Sequence, residues 1–486
     1  MKKKVIVIVL VALVLLGVLA GVALKLQKDW VNETYIMIDD QQIRRDVTEL
    51  DYAGVGVREL EKLEELASLK KLDLRNTGLT VEQYERLVDA LPGCEILWSV
   101  PFQTGYLEMD TEMITVAELS AEDILRMNYL QKLNTVDASG CRDYEMLMEL
   151  IQARPDLRVI YQVCIDGVEY DQEIEALTLE NVSAEELEAA LPYLFDLKNV
   201  TFTGETPEKE RIYEWMCAYP EVTFLWDFEV CGVATNSLAT ELILNEIPME
   251  NVEEVESALK YFYNLQWVEM CNCGIPSEEM DALWKRHPET RFVWTVQVGV
   301  CNLRTDITTF MPYKFGYDGY SKLKDRHMGE LKYCVDLICM DLGHMAISDY
   351  SFLNYMPNMQ YLILAHTEGN DFSPLANLKE LKYLEMFMTS FDQAEVLVGL
   401  TKLEDLNLGT SKIDNIEPLK EMTWLKHLWL PATKKVSSTE KKELLAALLD
   451  TVISYQGAAS TGNGWREIPN YYAMRDLLGM PYMAGK

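Results

Sequence analysis

Five apolar–x–apolar triplets return at a fixed interval of 22 residues: Met340-Asp-Leu342, Leu362-Ile-Leu364, Leu384-Glu-Met386, Leu406-Asn-Leu408 and Leu428-Trp-Leu430. The period of two inside each triplet is that of a strand, and the constant interval makes each copy one coil that cannot bury its apolar side alone. The copies must therefore stack. Ile347, Phe391 and Ile413 fill the next inward site, and Leu353, Leu375, Leu397 and Leu419 fill one on the return side. Leu50 and Leu72 are also 22 apart, with Val57 and Leu79 following in phase, so the short repeat also opens the array.

A second periodicity lies between these ends. Pro92, Pro155, Pro220 and Pro288 are 63, 65 and 68 residues apart. Before each runs a one-sided apolar stripe (Leu87 and Leu91; Leu147 and Leu150; Ile212 and Trp215; Met280 and Leu283), which predicts an amphipathic helix stopped by the proline. After each, alternation predicts a strand: Ile96, Trp98, Val100; Val159, Tyr161, Val163; Phe224, Trp226, Phe228; Phe292, Trp294, Val296. Thr80 with Gln83 and Ser183 with Glu186 read as helix-start boxes, and Thr206-Pro207 as a helix's first turn. Leu72-Asp-Leu74, Val136-Asp-Ala138, Val200-Thr-Phe202 and Val268-Glu-Met270 predict a strand before each helix. One unit then reads strand, helix, strand, and a further short strand with its turn.

The triplets and their flanks resemble the leucine-rich-repeat family. Its pattern L-x-x-L-x-L-x-x-N is met by Met359, Leu362, Leu364; Leu381, Leu384, Met386; Leu403, Leu406, Leu408; and Leu425, Leu428, Leu430. The 22-residue block is similar to the internalin type of bacterial surface repeat, with Ile413-Asp-Asn-Ile-Glu-Pro-Leu419 resembling that type's return segment. The resemblance implies an α/β leucine-rich-repeat solenoid with a parallel concave sheet over roughly residues 47–435. The family's asparagine-ladder position carries Thr367, Thr389 and Ser411 here, so hydroxyls must make that turn's hydrogen bonds. The long units depart from the family's period.

At the amino terminus, Lys2, Lys3 and Lys4 precede an uncharged run from Val5 to Leu24, about 30 Å of helix and enough to cross a bilayer. A single transmembrane anchor is expected, with the basic end cytoplasmic and residues 29–486 extracellular. A cleaved signal peptide has a shorter apolar stretch of about 7–15 residues. Cleavage near Gly21-Val22-Ala23 would instead give a secreted protein. The expected organisation is residues 1–4 as a cytoplasmic tip, 5–24 as anchor, 25–43 as juxtamembrane stalk and 44–300 as four long units. A connector over 301–333, short repeats over 334–435 and a C-terminal cap over 436–486 follow. The connector concentrates Tyr313, Phe315, Tyr317 and Tyr320 with Lys314, Lys322, Lys324 and Arg326, as a docking loop or as aromatics packed over a coil end.

The chain has 44 Lys+Arg against 78 Asp+Glu, and the first 28 residues hold five of the lysines and no acid. The remainder repels phosphate backbones, which excludes nucleic-acid binding. Ten cysteines form no disulfide framework or zinc spacing; Cys94, Cys164, Cys334 and Cys339 read as small buried side chains, and Cys271-Asn-Cys273 as two sulfurs on one strand face. No nucleophile, phosphate-loop or metal motif occurs, so no enzyme activity, cofactor or metal is expected. A wall-polymer hydrolase stays a remote alternative because acids are plentiful.

The concave face is the candidate site. Residues between the inward leucines fall into columns: Cys339, Tyr361, Tyr383, Asp405, His427; Asp341, Ile363, Glu385, Asn407, Trp429; Gly343, Ala365, Phe387, Gly409; and His344, His366, Met388, Thr410. Tyr361, Ile363, His366, Tyr383, Glu385, Phe387, Met388, Asp405, Asn407, His427 and Trp429 are expected to bind a protein or cell-envelope polymer, since aromatics and methionine favour interfaces. Either the face is open to such a partner or the C-terminal cap folds over it. An envelope-assembly scaffold using the long units is the alternative function. His344 and His366, one coil apart, are expected to have raised proton affinity in so acidic a chain, and to hold a metal only if Asp341 or Glu385 converges with them.

Overall fold

The computed structural model describes residues 2–103, 105–318, 321–457 and 461–480, with side chains omitted for 2–5 and 7. Tyr320, residues 458–460 and the side chains of the three leading lysines lie outside the described set. The chain forms two compact units, Met1–Phe224 and Leu225–Lys486, so the division falls inside the third long unit.

The first unit begins with the helix Lys2–Thr34, of which Ile8–Thr34 is long and apolar enough to cross a membrane by length and composition. Helix continues ten residues past the uncharged run, where a stalk was expected, and a hairpin of Tyr35–Ile38 with Gln41–Arg44 follows.

All four proline-terminated helices form: Val81–Ala90, Tyr144–Ala153, Lys209–Ala218 and Ser277–Arg286. Each is capped by the residue before its proline (Leu91, Arg154, Tyr219, His287), whose N–H still bonds the carbonyl four back. A proline disfavours α geometry in the residue before it, so the helix ends there. Thr80 and Gln83 make both halves of the capping box. Thr206 and Pro207 lie outside the helix, which starts at Lys209 behind Glu208.

The long units contain more than the sequence suggested. Met113–Thr115 with the helix Ala121–Arg126, Ala176–Glu180 with Ala184–Ala190, and Glu241–Ile243 with Glu253–Ala258 form an additional coil ahead of the proline-marked one. Paired inward residues Ile114 and Val136, Val136 and Val159, Leu177 and Val200, Leu242 and Val268, and Val268 and Phe292 are 22, 23, 23, 26 and 24 residues apart. Each long unit is thus two coils of leucine-rich-repeat length plus an antiparallel hairpin. In the first and last units one eight-residue strand, Glu95–Phe102 or Arg291–Val298, serves both sheet and hairpin. In the middle two it breaks beside Tyr161 or Trp226. Trp98, Tyr161, Trp226 and Trp294 all sit at this junction, each at most 2% exposed.

The short coils build one seven-stranded parallel ladder from Thr309–Phe310, Cys339–Asp341, Tyr361–Ile363, Tyr383–Glu385, Asp405–Asn407, His427–Trp429 and Val452–Ser454. Short 3-10 turns such as Ser351–Tyr355 and Glu417–Glu421 return the chain. The ladder gains one strand from the expected connector and one from the expected cap. The connector is accordingly structured: Cys301–Arg304 closes the last hairpin, and Tyr317 is buried, its hydroxyl accepting the Val300 N–H at 3.0 Å. The inward leucines and Met340, Phe391 and Ile413 are fully buried.

At the asparagine-ladder position, Thr367 and Thr389 donate to the Leu364 and Met386 carbonyls at 2.6 and 2.7 Å. All ten cysteines are unpaired. Cys334 and Cys339 are buried, while Cys94 and Cys164 are half-buried. Cys271 and Cys273 lie in the turn after the strand Trp267–Met270 rather than on a strand face, and the Cys273 thiol donates to the Leu244 carbonyl.

Candidate functional site: the concave face of the C-terminal coils

The columns read from the sequence are those of the ladder. Cys339 pairs with Tyr361, Tyr383, Asp405 and His427 in turn, and Asp341 with Ile363, Glu385, Asn407 and Trp429. At the strand ends His344, His366, Met388 and Thr410 share left-handed backbone, φ 55–65°. Asp341 and Asn407 side chains each accept the N–H two residues on, from Gly343 and Gly409 at 2.9 Å. At Gly409 a Cβ would meet the Pro431 ring at 2.9 Å, so close stacking of this edge requires glycine.

The face is not open. The end of the ladder is closed by the helix Ser438–Ala447, started by the Ser437–Glu440 box, and by Val452–Ser454. The chain then turns back, and residues 462–478 lie across the concave face. Trp465 is fully buried between Tyr383 and Trp429, with ring centroids at 5.2 and 5.3 Å. Beyond it, the helix Pro469–Leu477 buries Tyr471, Met474 and Arg475, and Ile468 and Leu478 flank them against Tyr361, Ile363 and Phe387. Of the two expected arrangements, the one with the C-terminal cap folded over the face is found: Tyr361, Ile363, Tyr383, Glu385, Phe387, Asp405, Asn407 and Trp429 are all buried. Only His366 and Met388, at the rim, are exposed, and His427 is half-buried. The physical reason is local, since a tract of aromatics this large is lowered in free energy by whatever apolar segment is tethered nearest.

Polar contacts fix the segment in place. The Trp465 indole N–H donates to Glu385 at 3.0 Å, and the Tyr383 hydroxyl donates to the same carboxylate. The Asn470 amide donates to Asp405 and Glu404 at 2.9 Å, and the Trp429 indole to the Gly462 carbonyl at 2.9 Å. His427 Nδ1 is 2.6 Å from Asp405. Burial pushes the Glu385 carboxyl above its ordinary range despite the Trp465 and Tyr383 hydrogen bonds, and raises Asp405 despite His427 and Asn470. Burial also raises Asp341, against the pull of the Arg466 and Arg475 charges.

The two histidines meet as expected, Nδ1 to Nδ1 at 2.9 Å with rings at 83°. Their expected rise in proton affinity is overturned for His344: burial, the neighbouring His366 and Lys322 lower it. Asp341 is held by Gly343 and Glu385 by Trp465, so neither carboxylate completes a ligand set. Among the described residues no group of three metal-ligating side chains occurs.

Sequence reasoning missed Trp465, Asn470 and Arg475. Their signal was the spacing Trp465, Ile468, Tyr471, Met474, Leu478, an amphipathic stripe after the last coil with no further coil to receive it.

No protein-family model matches the sequence, and no curated protein does. Among solved structures, internalin C2 of Listeria monocytogenes is 20% identical over 45% of this chain and 80% of its own, with a TM-score of 0.26. Internalin F of the same organism is 13% identical over 85% and 83%, TM-score 0.25. A leucine-rich-repeat protein of Leptospira interrogans is 16% identical over 85% and 96%, TM-score 0.28. The fold itself is fixed by the ladder: parallel strands joined at a 22-residue interval and 3-10 return segments make the C-terminal coils a leucine-rich-repeat solenoid.

Proposed function

We propose that this is a non-enzymatic, membrane-anchored module, displayed outside the cell, that binds a protein or envelope polymer through the concave face of its C-terminal coils. The carrying observation is that the seven-stranded sheet, the longest among the described residues, aligns aromatics and carboxylates in columns and accommodates a 17-residue segment there. A binding role rather than catalysis is supported by the engagement of both buried carboxylates, Glu385 by Trp465 and Tyr383, and Asp405 by His427 and Asn470. The exposed apolar helix behind three lysines supports the anchor and its orientation.

Cover over the face favours a second reading, an assembly scaffold whose contacts come from the long units. Full-length chain in detergent, used as bait on native envelope extract, separates the two. Under the first reading one species is retained, and changing the rim residues His366→Ala and Met388→Ala reduces its retention several-fold. Undiminished retention places the contacts elsewhere, and no retained species removes the binding function.

A further inference from the structure

Residues 462–478 are not needed to close the solenoid. A repeat array requires its exposed coil end to be capped, and the helix Ser438–Ala447 with the strand Val452–Ser454 already does that. The segment instead lies along the sheet face, where a ligand of a concave surface would lie.

Its chemistry complements that face. The ladder presents Asp341, Glu385 and Asp405, with Glu404 at the edge. The one charged side chain that the segment buries is Arg475, while its acids Glu467 and Asp476 are exposed. Arg466 and Arg475 both draw Asp341 toward its charged form. Glu385 accepts the Trp465 indole N–H and the Tyr383 hydroxyl and makes no ion pair among the described residues, while the Arg466 charge draws it toward its ionised form. Permanent cover over carboxylates is a costly arrangement, because desolvating them is incompletely offset and apolar side chains of similar size do as well or better. Carboxylates suit a face that spends part of its time in water.

We infer that the C-terminal segment is a cis occupant of a peptide-binding face, displaced by a partner segment of the same chemistry: a turn and short amphipathic helix giving an indole N–H to Glu385, an amide N–H to Asp405 and one buried cation. This rests on the concave face being the binding site. Exchange needs no covalent step; one indole, one amide and one guanidinium leave and their equivalents enter.

The test uses a fluorescent synthetic peptide of residues 461–480, titrated into the full chain in detergent and into the chain ended at Gln456. The ended chain binds the peptide, and peptides with Trp465→Ala or Arg475→Glu bind at least about tenfold more weakly, a difference of about 1.4 kcal/mol. The full chain binds the parent peptide at least about tenfold more weakly than the ended chain, because its own segment competes. A folded ended chain that binds no peptide, or all three alike, overturns the inference. Hydrogen exchange on the intact chain covers the case in which the ended chain does not fold. Amides of 465–478 should exchange at least about tenfold faster than those of Leu384 and Leu406, and equal protection overturns displacement. A concentration-dependent dimer dissolved by the peptide would make the occupant a second copy and overturn a foreign segment. Peptide binding without any species captured from envelope refutes the proposed function alone. Captured material that the peptide cannot release refutes this inference alone.

Discussion

The long units and the short coils use nearly the same spacing between paired strands, 22 to 26 residues in one and 22 between the five strands from Cys339 to Trp429 in the other, and reach different ends with it. In the long units most strands are followed by an α-helix, and every second coil is followed by a hairpin, so the described parallel sheets stop at three strands. In the short coils the return is a 3-10 turn of four or five residues, no hairpin intervenes, and seven strands run in one ladder. Only the second arrangement makes a face broad enough to hold a folded segment. Coil length alone does not decide whether a repeat protein presents a binding surface; what separates one coil from the next does.

The largest effect should come from breaking a hairpin junction. Trp226→Ala removes a fully buried ring stacked on Phe228 with centroids 4.4 Å apart, and should cost about 3–5 kcal/mol in denaturant unfolding. Trp226→Phe should cost far less, since the indole N–H has no partner among the described residues. If Trp226→Ala costs under about 1 kcal/mol, the junction does not anchor its unit, and the long units are held by their helices as the short coils are by their leucines.

A smaller effect sharpens the other side of the comparison. Glu385, Asp405 and Asp341 are raised with the C-terminal segment in place, so the docked state binds protons more tightly than the undocked one. For a carboxyl with a raised value, docking strengthens as pH falls through that value and weakens as pH rises above it. The groups facing them are Cys339, Tyr361, Tyr383, Glu404 and His427 from the ladder, Arg466, Tyr471 and Arg475 from the segment, and Lys314 beside Cys339. Exchange protection of residues 465–478 should be greater at pH 5 than at pH 8, and Glu385→Gln should flatten that dependence. Protection that rises with pH would mean that ion pairing with the arginines outweighs desolvation.

Much of this was legible in the sequence, for reasons that also explain the gaps. The columns from Cys339 to Trp429 could be read because the strand period of two sits inside a constant 22, which leaves one register. The additional coils were hidden because their strands of three to five residues show only one inward residue, Ile114 or Leu242, or two, Leu177 and Leu179. Their hairpins did carry a signal: Asp166-Gly167 and Cys231-Gly232 both adopt positive φ, as a two-residue hairpin turn requires. The segment over the concave face repeats nothing, so periodicity could not place it; the contact of Trp465 with Glu385, 80 residues earlier, is purely tertiary.

The smallest effect concerns a device both regions share. Thr77 in the first long unit, and Thr367, Thr389 and Thr433 in the short coils, each donate a hydroxyl hydrogen to the carbonyl three residues back, at 2.6 to 2.8 Å. The hydroxyl substitutes for an asparagine amide by bonding within its own coil rather than reaching the next. Ser411 occupies the same position, but its Oγ is buried with no partner among the described residues. Serine lacks the second Cβ branch that limits threonine's χ1, so nothing fixes its hydroxyl toward the Leu408 carbonyl. Thr389→Val should therefore cost about 1 kcal/mol, the net value of a hydrogen bond, whereas Ser411→Ala should lie within about 0.5 kcal/mol of zero. Ser411→Thr should stabilise by restoring the bond made at 367, 389 and 433. Equal losses at 389 and 411 in denaturant titrations would show that the turn is held by its backbone alone, in the long units and the short coils alike.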